Sequence, residues 1–461
     1  MADIIIIKLP EMNTYSLIRF MPRHFRAKIE NWPNSTNILD NVGWLFFDKI
    51  LRAGVELLVI AWVARYLGPR QFGLLNFATA FVVLFGAISG LGLRGIVVRD
   101  IVNKPEQKYK TLGTSFGLQV IGGLLAFLLI IYLISYLRPD DVLTKYIVAI
   151  LGFTHIFKAT EVIKYWFESQ VTSKFTVWVE NGVLLAIASI KVIMILSGSS
   201  IMAFVWAAFA EAALVALLLM VMYILKVAAI TSWRPNISKG KELILDSWPL
   251  IMSGIAVVIY MKIDNIMLGQ MIGDEAVGIY SVASRISEAW YFVPMAIISS
   301  LFPSLIEAKK QSGKAYYQRL QKVYDLMVLL GVAVALPMTF FSTEVISLFF
   351  GESYIPAGPI LSVHVWATLF VCLGAASSNW FLIENRQMLS FQRTALGAAV
   401  NVGLNFLLIK KYGTIGAAYS TLVSYGFAGF IYDCLQKETR GMFIMKINSF
   451  NLLRVIKNLI G

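Results

Sequence analysis

The chain has 461 residues, 58% of them hydrophobic and 15% charged, with a mean hydropathy of +0.72 and a formal net charge of +13. That balance excludes an ordinary soluble globular domain. The only two cysteines, Cys372 and Cys434, fall in apolar segments, which excludes a disulfide framework and any cysteine-based metal site.

An apolar run of about 20 residues crosses a hydrocarbon core of ~30 Å as a helix. The pattern predicts about twelve such runs, near 43–67, 71–93, 111–137, 142–166, 173–197, 201–226, 244–268, 276–305, 320–342, 356–383, 389–409 and 413–436. Residues 1–42 form an N-terminal arm, with an amphipathic stretch around Tyr15–Ile29. Residues 227–243 read as a basic linker, and 437–461 as a basic tail suited to a membrane surface. The fold class is therefore an all-α integral membrane protein of about twelve transmembrane helices, in an N-lobe (43–226) and a C-lobe (244–436).

Charges lie inside these runs. Span one carries Asp48, Arg52 and Glu56 at i, i+4 and i+8, on one helix face. Span four holds His155, Lys158 and Glu161, span five Glu180 and Lys191, and span six Glu211. In span seven Lys262 and Asp264 point about 200° apart, so one faces a cavity while the other pairs with a neighbouring helix. Span eight has Arg285 and Glu288 one turn apart. An ionisable group at mid-bilayer costs roughly 2.5–3.5 kcal/mol on insertion scales and faces a bundle interior or a wet cavity. Charges of both signs inside a bundle point to a polar or charged cargo. Arg285 is the leading candidate, because a guanidinium stays charged when buried and grips phosphate oxygens with two donors. Against each such role stands helix-to-helix pairing, and for His155 a plain structural hydrogen bond.

The two halves echo one another. Gly68-Pro-Arg-Gln-Phe-Gly-Leu-Leu-Asn-Phe-Ala78 after span one matches Gly273-Asp-Glu-Ala-Val-Gly-Ile-Tyr-Ser-Val-Ala283 after span seven, 205 residues later. Six plus six spans in the same orientation is the parallel-repeat plan of transporters. Of the 40 Lys and Arg residues, 28 fall on one side of the twelve spans and 6 on the other. This asymmetry predicts both termini in the cytoplasm, and it explains the basic charge without nucleic acid. No Walker A pattern, metal-ligand cluster or large polar loop is present, which argues against an enzyme.

Three stretches carry a family resemblance. They are Ala64-Arg-Tyr-Leu-Gly-Pro-Arg-Gln-Phe-Gly-Leu-Leu-Asn-Phe-Ala78, Lys164-Tyr-Trp-Phe-Glu-Ser-Gln170, and Asn401-x-x-x-Asn405 with its continuation to Ala418. Over roughly residues 40–436 the chain resembles the polysaccharide (O-antigen) flippases of the multidrug/oligosaccharidyl-lipid/polysaccharide exporter superfamily. The resemblance implies two pseudo-symmetric six-helix lobes around a cationic cavity in a bacterial cytoplasmic membrane. It implies movement of an undecaprenyl-pyrophosphate-linked oligosaccharide by alternating access, with polysaccharide polymerase and chain-length machinery as partners beside the membrane lipids. On that expectation Arg52 and Arg285 hold the pyrophosphate with help from Lys158 and Lys262. Asp48, Glu56, Glu288 and Asp264 line the cavity or carry a coupling H⁺ or Na⁺, and no cofactor is needed. The alternatives are a multidrug exporter of the same superfamily and a membrane enzyme acting on lipid-linked sugars.

Overall fold

The computed structural model describes residues 35–227, 230–451 and 454, with side chains from residue 51 onward, and every regular element among them is helical. Helix α1 (Ser35–Val83) contains two expected spans, because the chain leaves helical geometry at Gly68 (φ 70°, ψ 171°) and Pro69 restarts it. Only glycine adopts that φ without strain, and proline suits a first helical position.

Residues 71–93, expected as one span, do not run straight. The helix ends at Val83, resumes as α2 (Gly86–Gly90), passes through Leu91 at φ 52°, and resumes again as α3 (Arg94–Asn103). Gly86, Gly90 and Gly92 weaken the helix here. Neighbouring side chains add hydrogen bonds to carbonyls at the break. A ring nitrogen of His155 donates to Val82 O at 2.8 Å, and Gln119 Nε2 donates to Gly90 O at 3.2 Å. His155 is thus a buried structural hydrogen-bonder.

The first half continues with α4 (Lys108–Leu137), α5 (Val142–Phe157), α6 (Glu161–Ser169), α7 (Lys174–Leu196) and α8 (Ile201–Lys226). The second half comprises α9 (Ile237–Met271), α10 (Asp274–Glu288), α11 (Phe292–Gln311), α12 (Gly313–Phe350), α13 (Ala357–His364), α14 (Ala367–Ile383), α15 (Gln387–Tyr412) and α16 (Thr414–Gly426). A π-helical turn (Phe427–Ile431), α17 (Tyr432–Leu435) and α18 (Arg440–Ser449) complete it. Eight helical segments of the described chain are long and apolar enough to cross a membrane, nine with the bent pair Leu51–Val83 and Gly86–Asn103 counted as one. Counting both arms of α1, and adding the more polar α15 and α16–α17, the chain makes about twelve passes. Leu128, Tyr136, Leu196, Leu225, Phe340 and Leu348 stand more than 60% exposed on the outside, as lipid-facing side chains do.

Three expectations shift. The linker is shorter than 227–243, because α9 starts at Ile237 with Asn236 capping Lys239 N at 2.9 Å. The fourth and eighth spans are each broken near their middle, at Lys158–Thr160 and at residues 289–291. The tail is partly core: α18 docks on α12 and the π-turn, burying Met442, Lys446 and Ser449. Its Lys446 and Asp433 form an ion pair at 0% exposure, with Lys446 also donating to Gly429 O at 2.6 Å.

The halves meet most closely where α10 crosses the second arm of α1. A Cβ on Gly73 would overlap the carbonyl of Asp274, and a Cβ on Gly278 would overlap the carbonyl of Pro69. The two copies of the repeated motif therefore pack on each other through matching glycines. Phe77, Ala78, Val282 and Ala283, fully buried, continue the core from this point.

Candidate functional site

Below the Gly73–Gly278 contact the two helices diverge, and a small cavity of about 60 Å³ opens between them. Asn76, Thr79, Ala80 and Val83 of α1 line one wall. Ser281, Ser284, Arg285 and Glu288 of α10 line the other, with Lys262 and Asn265 of α9 closing it. Arg285 Nη2 donates to Asn76 Oδ1 at 3.0 Å, and Asn76 Nδ2 donates to Phe72 O at 2.8 Å. Arg285 Nε is buried with no hydrogen-bond partner. Lys262 Nζ lies 3.5 Å from Glu288 Oε2.

The remaining candidates separate. Lys158 lines a different cavity of about 310 Å³, between α5, α6 and α8, which shares no lining residue with that of Arg285. The expected grouping of Lys158 with Arg285 and Lys262 is therefore not what the helices produce: Lys158 sits at the break between α5 and α6, within the first half. Around it the first half is cross-linked by ion pairs. Arg52 meets Glu56 at 4.0 Å and Glu180 at 3.5 Å, Lys164 meets Glu180 at 2.6 Å, and Lys191 meets Glu211 at 3.2 Å. The Asp48 side chain lies outside the described side chains.

Asp264 faces away from Lys262, into the second half. It is 4% exposed and accepts from Asn405 Nδ2 at 2.5 Å, Thr421 Oγ1 at 2.6 Å and Tyr280 Oη at 2.7 Å. Among the described residues no Lys or Arg lies within ion-pair distance of it. Asn405 also donates to Asn401 Oδ1 at 3.2 Å, while its own Oδ1 is buried without a partner. Four helices, α9, α10, α15 and α16, thus bring one carboxylate and several neutral oxygens to one buried point. The Asn401–Asn405 spacing in the sequence signals one face of a helix, but nothing local marks Tyr280, Thr421 or Asn76.

Polar ties hold the halves at both ends of the bundle. At the end bearing Gly68 and Gly273, Arg138 leaves α4 to meet Asp274 at 2.7 Å and Gly269 O at 3.0 Å, and stacks 3.9 Å above the Phe77 ring. Arg65 donates to Leu348 O, and Tyr354 Oη to Ala64 O at 2.9 Å. Asp141 completes the Arg138 group. Partial burial pushes its carboxyl up, but donors from Thr144 and Arg138 outweigh that and hold it below the usual carboxylate range. At the opposite end, buried Lys239 of α9 meets Asp100 at 2.8 Å, and Arg99 meets Asp246 at 2.6 Å.

A family model described as polysaccharide biosynthesis protein matches residues 38–309, and a second, MatE, matches residues 249–407. The chain is 23% identical over 397 residues to the "Probable low-salt glycan biosynthesis flippase Agl15" of Haloferax volcanii, covering 83% of this chain and 79% of that one. It is 20% identical over 400 residues to the capsular polysaccharide biosynthesis protein CapF of Staphylococcus aureus, covering 84% and 96%. Among solved structures, the lipid II flippase MurJ in an inward closed conformation superposes with a TM-score of 0.67. That match has 15% identity and covers 91% of this chain and 92% of the other. The likeness establishes the shared fold, two six-helix lobes.

Proposed function

The chain belongs to the polysaccharide biosynthesis protein family, and from that premise we propose that it is a flippase. Its cargo is an undecaprenyl-pyrophosphate-linked oligosaccharide, a repeat unit of a surface polysaccharide, which it carries across the cytoplasmic membrane by alternating access. The observation that carries this reading is Arg285. It is a buried guanidinium in the cavity between the lobes, with Nε unpartnered and Lys262 beside it. Burying an unsatisfied donor costs about 1–3 kcal/mol, which a phosphate oxygen in the cavity would recover. Arg52, on α1, sits among carboxylates and belongs to the wall along which the sugars lie. The asymmetry of basic residues supports placing the Gly68 end outside and both termini in the cytoplasm. In this state the outer end is closed by the glycine contact and the Arg138 group. The prenyl tail stays in lipid, and the polymerase and chain-length machinery act on the delivered unit.

Coupling to an ion belongs to the same reading. Glu56 and Glu288 have basic partners and, among the described residues, Asp264 has none, so Asp264 is the carboxylate we assign to a coupling H⁺ or Na⁺. Asn405 Oδ1, orphaned and buried, fits the added proton or cation as a further acceptor.

The test is genetic. Deletion of the gene in its host is expected to abolish the surface polymer and to build up lipid-linked single units on the cytoplasmic side. Complementation with Arg285→Ala is expected to give inserted protein and no polymer. Normal polysaccharide in that strain overturns the reading. New drug sensitivity with normal polymer would move the protein to the exporter reading that the MatE match keeps open.

A further inference from the structure

Arg285 and Asn76 belong to different lobes, and the bond between them is the first polar rung below the glycine contact. Its construction is one-sided. Asn76 is fixed, because its amide is spent on Phe72 O one turn back along α1. Its Oδ1 is thus aimed across the gap at a guanidinium that can only donate. On the facing helix Ser281 occupies the position equivalent to Asn76 in the repeated motif. On α1 the position equivalent to Arg285 is Ala80, which leaves room for the long side chain. The pair therefore breaks the twofold pseudo-symmetry of this crossing, and it does so with a neutral acceptor where the proposed ligand presents a charged one.

We propose that Asn76 is an internal stand-in for the ligand: it ties Arg285 to the N-lobe until a diphosphate takes its place, and that exchange frees the outer end to open. The inference rests on the pyrophosphate reading of Arg285 and adds to it the residue that reports occupancy. Hydrogen bonds to an ionised acceptor are about twice as strong as neutral ones, so the exchange runs downhill when the diphosphate arrives. It also makes opening conditional, since a ligand shifts a two-state equilibrium only through its differential affinity for the two states. Asn76 acts through Arg285 and is a positioning residue. With Arg285 held at Nη2, its buried Nε has no hydrogen-bond partner and is the donor left for a first phosphate oxygen.

The experiment uses the full chain in lipid nanodiscs, with Cys372 and Cys434 replaced by Ser. Spin labels are placed at exposed positions 70 and 352, on either side of the closed end, and the distance between them is read by double electron–electron resonance. The probes are undecaprenyl pyrophosphate and, as control, undecaprenyl monophosphate. In otherwise wild-type protein the diphosphate is expected to lengthen the distance and the monophosphate to do so less. Asn76→Leu, which keeps the volume and removes the acceptor, is expected to raise the open fraction at least about threefold with no lipid present. Asn76→Asp, which pairs with the guanidinium outright, is expected to stay closed with lipid present and to weaken diphosphate binding about tenfold. Both variants behaving as wild type, or both losing the closed state alike, overturns the inference. If Asn76→Leu opens but the diphosphate neither binds nor opens the wild type, the tie stands and the diphosphate, with the proposed cargo, falls.

Discussion

The two lobes differ at one buried charge: the second pairs Asp433 with Lys446 and Glu288 with Lys262, much as the first pairs its carboxylates, but treats Asp264 otherwise. In the first, every described acidic side chain deep in the bundle has a basic partner, and Glu180 serves two, Arg52 and Lys164. In the second, Asp264 is held by an amide and two hydroxyls with no cation beside it. Both solutions satisfy hydrogen bonds, but they differ in what remains to be done. A paired carboxylate is already neutralised and resists taking up another ion. An unpaired one in a nest of oxygens is an incomplete site, and the nest is assembled from four helices whose relative positions must change if the lobes rock. The comparison teaches that the first lobe is cross-linked for rigidity, while the second keeps one charge available.

The comparison can be broken by substitution. Asp264→Asn removes the only charge of the second network while keeping its size. We expect transport to fall roughly a hundredfold, as loss of charged hydrogen bonds worth about 2–3 kcal/mol implies, and its ion dependence to disappear. Counterflow of lipid-linked substrate in proteoliposomes with Na⁺ or pH gradients measures this, and unchanged ion dependence would end the assignment. Glu180→Gln leaves two cations sharing less charge. We expect a loss of about 1–2 kcal/mol of stability, reduced from the cost of a fully buried pair because these side chains keep 20–32% exposure. Thermal unfolding in detergent should register it as a lower Tm, with transport falling only in proportion to folded protein. Lys191→Gln breaks a single, similarly exposed pair with Glu211 and should cost under about 1 kcal/mol; a larger drop would mean that the mesh acts as one unit. The smallest effect is expected outside the bilayer, at Asp141. Its carboxyl is held low in the folded chain, so its contribution is present above the ordinary value near 3.8 and is lost as pH falls through the lowered one. Below about pH 4 the Tm of wild type should drop slightly more steeply than that of Asp141→Asn, and parallel curves would remove Asp141 from the account.

Much of this arrangement is legible in the sequence. Interior charges are rare enough in apolar runs to be noticed singly, and helical geometry alone separates Lys262 from Asp264. The matching glycines at 73 and 278 are visible as an echo, though not as a contact, because two repeats related by an axis touch only if both lie at it. What stays hidden are neutral partners. Thr421 lies 157 residues from Asp264 and Asn76 lies 209 residues before Arg285, and a lone Thr or Asn in a membrane helix has many uses. The break between Val83 and Arg94 is hidden for a related reason. Glycines in a helix signal weakness, but nothing local shows that His155 and Gln119 come from other helices to hydrogen-bond carbonyls at this break.

The tight turns at the closed end have a consequence of another kind. Gly68, Gly198, Gly273, Gly351 and Gly413 all sit at positive φ, and each reverses the chain within a few residues. With that end outward, as proposed, the described chain offers the outer side of the membrane almost no loop to seize. A protease finds no extended segment to thread, and an antibody or a phage tail finds little relief to hold. A cell that builds its coat with this protein leaves the builder itself nearly featureless from without.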